Sequence, residues 1–229
     1  MDAWLQKIRR ISTHQLSVLF VAIVVVTSVS GCSVFVMLGK MFYGDPLIPS
    51  EFRSRTRINL AKQDTSLLVV CTTPESVSSE LPALQFDLTE GILRRMKRNG
   101  IKIVNPDKVA DWVDNNGSQV GTPREMAQDF DAGFIVVIDV ERFDTTAEKS
   151  PHMYQGKSFG NVVVYQVIDD ELGKRVQSIY SGEFRTTYPP MNPISQESME
   201  RRVFQKRFMD HLADQLARQF HDYRLGDEF

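Results

Sequence analysis

Followed by its apolar positions alone, the chain changes period several times, and each change marks an element. Leu16 to Val26, "LSVLFVAIVVV", is an apolar core of eleven residues behind the positively charged "MDAWLQKIRR". "TSVSGC" then turns small and weakly polar before apolar residues resume as "SVFVMLGKMF". Gly39 to Asp64 has scattered charge, two prolines and no period, and reads as a tether or an irregular lead-in to the domain. "SLLVVCTT" (Ser66 to Thr73) is a short β-rich apolar run stopped by Pro74, the pattern of a buried strand. Leu84, Leu88, Ile92 and Met96 recur every four residues and predict one apolar helix face, ended by Asn99-Gly100. "IKIV" (Ile101 to Val104) reads as a second short strand.

Two short helices come next. Asn105 and Pro106 open the first, whose apolar side is Val109, Trp112 and Val113. Thr122, Pro123 and Glu125 have capping-box spacing and open the second. "FIVVIDV" from Phe134 is apolar enough for the middle of a sheet. "NVVVYQVID" and "KRVQSIYSGEFRTTY" form a β meander across "DELG", the second with one polar face. After "PPMNP", Ser195 to Arg224 predicts a long C-terminal amphipathic helix lined by Phe204, Phe208, Leu212, Leu216 and Phe220, a face that packs on the sheet or, as the second reading, docks in a partner's groove. The expected fold is α/β, or α+β: a single layered domain with a mixed sheet of about five strands flanked by helices.

The N-terminal order is that of an export signal: positive n-region, apolar h-region, small residues. "VSGC" (Val29, Ser30, Gly31, Cys32) resembles the lipobox of bacterial lipoproteins. The resemblance implies lipid on the Cys32 sulfur, cleavage after Gly31 and acylation of the new amino group. Two or three acyl chains on one residue give stable attachment. A second reading stays open. Leu16 to Leu38 is 23 residues without a charge, long enough to span a bilayer as an uncleaved anchor with the N-terminus cytoplasmic. The expected organisation is residues 1–31 as signal peptide, or 16–38 as transmembrane anchor; 32–64 as lipidation site and tether; 65–229 as the domain. Either anchor places the domain outside the cytoplasm, in the periplasm or beyond.

Two stretches of the domain are similar to a small α/β domain of envelope proteins: the TolB amino-terminal domain, the lipoprotein activators of penicillin-binding proteins, and the curli-secretion lipoprotein. They are "DFDAGFIVVIDV" behind a helix and the hairpin "VVVYQVIDDELGKRV". The chain departs from that pattern at Asp139, where those families favour a small residue. It departs again at the insert "ERFDTTAEKSPHMYQGKSFG". The resemblance implies a non-enzymatic, membrane-anchored envelope protein that binds a protein partner or an envelope component.

Composition narrows the chemistry. The 229 residues hold 27 Lys and Arg against 29 Asp and Glu, a net charge of -2. The charges up to Gly31 are Asp2, Lys7, Arg9 and Arg10, so the remainder is more acidic than the whole. Such a body lacks a field that would gather nucleic acid, and no nucleic-acid partner is expected. Two cysteines make no disulfide framework, and Cys71, inside "LLVVC", reads as a small core residue. No metal, nucleotide or nucleophile-elbow motif appears, so no cofactor, metal or catalytic residue is assigned. Asp139 and Glu141 share a strand face, the one pairing on which acid–base chemistry could rest. Met153, Tyr154 and Phe159 stand in what reads as a loop, either as a partner-binding surface or as a small satellite core beneath it.

Overall fold

The structure is a computed structural model, and it describes residues 46–116, 120–171 and 173–224. The chain divides into one unit of Ile48–Tyr223 and another of Met1–Leu47 with Arg224–Phe229. The core and the five-stranded sheet belong to the first. Strands are numbered from β1 (Leu47–Ile48), which pairs with β7 (Tyr223–Arg224).

The five-stranded mixed sheet organises the fold. β2 (Leu67–Thr72), β3 (Phe134–Ala147), β4 (Ser150–Asp170) and β5 (Gly173–Tyr188) lie in that order, and β6 (Ile194–Ser195) adds to the end of β4. β2 runs parallel to β3, with Leu67 opposite Phe134. The β3–β4 and β4–β5 pairs are antiparallel. Alternation along each strand sends side chains to two faces. Val69, Val136, Ile138, Val164 and Phe184 face one way, into a core built with α3 (Leu84–Arg98) and α6 (Arg201–Arg218). Leu68, Val70 and Ile135 face the other way, toward Met126 and Ala127 of α5 (Pro123–Asp129) and Trp112 of α4 (Pro106–Asn115). The expected fold class is therefore the observed one.

The predicted starts of α4 and α5 hold in detail. Asn105 accepts from the Asp107 N–H, and Thr122 with Glu125 forms a reciprocal capping box. In α3, Leu88, Ile92 and Met96 are fully buried, and the basic residues of its last turn complement the helix dipole.

Four expectations are corrected. The lead-in is not a tether up to Asp64. Ser50 caps α1 (Glu51–Thr56), Phe52 is fully buried against Tyr180 and Phe220, and Leu60 is buried too. Two apolar residues among charges give no period, yet each fills a core site. "IKIV" is not a strand: Ile103 makes a single parallel bridge to Leu67 before Asn105 turns the chain into α4. The expected insert and loop are not irregular, because β3 runs on to Ala147 and β4 starts at Ser150. Register shifts after Val140 and Asp144 break the alternation of β3 there, which hides the strand from a period-two reading. The last helix is shorter than Ser195–Arg224, because Ile194 and Ser195 pair with β4 and α6 begins only at Arg201.

A helix α2 (Glu75–Glu80) also succeeds β2, with no sequence signal strong enough to predict it. It carries no buried residue. Among the described residues, no helix is long and apolar enough to cross a membrane.

Candidate functional site

Val29, Ser30, Gly31 and Cys32 lie outside the described residues, as does the alternative span 16–38. Met153, Tyr154 and Phe159 are all on β4, and the strand separates them. Tyr154 points into the core and stacks on Phe204, with ring centroids 4.9 Å apart. Met153 and Phe159 belong to the opposite parity, six residues apart, or about 20 Å along a strand. Phe159 alone is exposed, at 38%, between Arg142 and Arg185 on the neighbouring strands. The three residues form no common patch.

Asp139 and Glu141 sit on an open sheet face, each with a neutral partner. Thr72 Oγ1 donates to Asp139 at 2.9 Å, and Asn161 Nδ2 donates to Glu141. Cys71 is buried, and burial pushes its thiol up to about 12, so it is no nucleophile. Burial, then the nearby Glu51 carboxylate, likewise raises the Tyr180 phenol to about 12. Among the described residues, no three His, Cys, Asp or Glu side chains are grouped to hold a metal ion.

The feature that could engage a ligand lies elsewhere, in a groove of about 470 Å³ between α3 and α6. The helices touch where Gly91 meets Ala213; a Cβ on Gly91 would stand 3.1 Å from that methyl. Arg95 ties them further, donating to the Asp210 carbonyl at 3.0 Å and reaching the Asp214 carboxylate at 3.5 Å. The groove has an apolar floor of Leu84, Phe143 and Met209. Its walls differ in charge. Glu80 and Asp87 stand on the α3 side, Arg202 and Lys206 on the α6 side. Among the described residues, none of these four is in an ion pair.

The α6 wall breaks a local rule. Cations are disfavoured at the positive end of a helix dipole. Yet α6 opens with Arg201 and Arg202, has no acid in its first turn, and carries Lys206 and Arg207 one turn later. Its N-cap, Glu200, makes no side-chain capping bond. In the sequence, "FQKRF" (Phe204 to Phe208) reads as a core stripe with a charged rim. The signal which that reading misses is the polarity of the rim, with basic residues crowding the wrong end of the helix.

No family model matches this chain, and no curated protein matches it. Among solved structures, it is similar to the hypothetical protein CT253 from Chlamydia trachomatis at 16% identity and a TM-score of 0.40, over 67% of this chain and 96% of that one. A PelC dodecamer from Paraburkholderia phytofirmans is similar at 12% identity and a TM-score of 0.42, over 71% and 93%. Lipoprotein GNA1162 from Neisseria meningitidis is similar at 13% identity and a TM-score of 0.37, over 67% and 98%. Likeness at this level says nothing about what this chain binds.

Proposed function

We propose that this chain is a lipid-anchored, non-enzymatic protein of the bacterial cell envelope whose α/β body binds a protein partner outside the cytoplasm. The observation that carries the reading is the order of its first residues: basic n-region, apolar core, small residues and then "VSGC" at Val29–Cys32. A kept transmembrane helix has no need of that grading. Partner binding is supported by the open groove between α3 and α6, with its apolar floor and unpaired charges. The second reading, a signal-anchored protein with the same body, keeps the support of the uncharged run Leu16–Leu38.

Metabolic labelling with a palmitate analogue separates the two. The wild-type protein takes up label, and its intact mass shows that residues 1–31 are gone. Cys32→Ala takes up none and keeps those residues. Equal labelling of both proteins, or a wild-type mass that includes Met1, defeats the lipid anchor in favour of the retained helix.

A further inference from the structure

We infer that the α3–α6 groove receives an amphipathic segment of the partner protein. Acidic residues of that segment run along its α6 edge, an apolar row lies on the floor, and basic residues run along its α3 edge. This rests on the partner-binding reading above and adds the surface and the chemistry of its occupant.

The charges of the two walls point to this occupant. Arg202 and Lys206 lie one turn apart on one side of α6 and stay without an ion pair among the described residues, and Arg202 stands in the first turn, where a cation costs stability. Departures from local consistency concentrate where function demands them. Opposite them, Glu80 and Asp87 are also unpaired, whereas Glu90 is matched by Arg94 at 3.6 Å and Asp210 by Arg95 at 3.5 Å. The unsatisfied charges therefore face each other across an apolar floor. A small ligand needs polar groups that converge on a point, and these do not. An anionic bilayer would meet Glu80 and Asp87 with like charge. An amphipathic helix laid in a groove meets all three strips at once, with complementary charge setting its register. On the floor, Leu84 and Phe143 are buried already, so the apolar surface left for a partner to cover is that of the partly buried Met209, which can adapt to the side chain it receives.

The test uses the full-length chain in the cells that make it, with a photoreactive benzophenone amino acid in place of Gln205 in the groove. A matched version carries it in place of Phe159 on the open sheet face. After irradiation, the joined segment is mapped by mass spectrometry. The expected adduct at Gln205 is a segment of another protein with apolar residues three and four apart and acids along one edge. Its yield falls at least tenfold in Arg202→Glu/Lys206→Glu, while the melting temperature is retained. Adducts to lipid, to a second copy or to a segment without that pattern overturn the inference, as does a yield unmoved by charge reversal. Protein adducts at Phe159 but none at Gln205 overturn the groove and leave partner binding standing. No protein adduct at either position overturns both.

Discussion

The two ends of the sheet obey different rules. At the end where β2 and β3 run parallel, both faces are covered: Val136 and Ile138 lie under α3 and α6, and Ile135 lies under α5. At the other end, from Asp139 onward, only one face is covered. Phe143, Tyr154 and Phe184 pack beneath α6, while Asp139, Glu141, Glu183 and Arg185 stand in water on the reverse. The covered end is held by two helical layers, and the far end depends on one. That dependence is concentrated in a few aromatic contacts, with Phe208 lying 4.7 Å from Phe143 and 6.5 Å from Tyr188 between ring centroids.

Removing the largest of those contacts tests the comparison most severely. Phe208→Ala is expected to lose about 3–5 kcal/mol of unfolding free energy, because it leaves a cavity that no second layer can fill. Glu183→Ala, on the reverse of the same sheet end, stays within about 0.5 kcal/mol. Urea denaturation of the two variants beside wild type reads both values. Comparable losses from the two would mean that the far end is not one-sided.

The same contrast explains what was legible in the sequence. "FIVVI" is apolar at every position because both its faces are buried, so it could be read without knowing its partners. β5 was only partly plain: Ile179 is an extra residue between the partners of Val164 and Tyr165, so Arg175 and Gln177 lie on the α3–α6 side of the sheet and Glu183 on the reverse, where one polar face was expected. The extension of β3 and β4 was not legible. Its buried positions include Thr145, Gly156, Ser158 and Gly160, which carry no hydrophobic signal, and the bulges shift the period between them. Ser158 belongs in the core because its hydroxyl donates to the Arg142 carbonyl at 2.9 Å, a partner that only the folded sheet provides. The candidate groove was invisible for a related reason. Leu84 and Met209 read as ordinary helix-face residues, and nothing local says that α3 and α6 leave space between them.

Those small residues give the next, weaker perturbation. Gly160 sits where β4 passes the bulge of β3, and a Cβ there would overlap the Asp139 carbonyl oxygen. Backbone cannot swing aside as a side chain can. Gly160→Ala is expected to cost about 1–3 kcal/mol through strain rather than lost burial. A thermal melt measures it, and hydrogen exchange locates it. The loss of protection should fall on Val140–Ala147 and their β4 partners and spare Leu67–Thr72. Uniform loss across the sheet would show that the two ends unfold as one unit and are not separable in stability.

The smallest effect is one of pH, and it too belongs to the far end. His211 on α6 lies against the Tyr188 ring, with centroids 5.2 Å apart, and is half-buried there. Burial lowers its pKa below the ordinary value of 6.5; the Asp214 carboxylate opposes that shift, and the Arg218 guanidinium adds to it. The folded protein therefore resists the proton that the unfolded chain accepts. Where the unfolded state binds more protons, stability rises with pH. The contribution of neutral His211 is complete above about 6.5 and is lost as the pH falls from there through the lower folded value. His211→Gln keeps a polar planar group in that position and has nothing to titrate. Its unfolding free energy should vary less than that of wild type between about pH 7 and about pH 5, with the wild-type curve the steeper. Parallel curves would mean that His211 is hydrated in the fold and that α6 does not seal the sheet at this point.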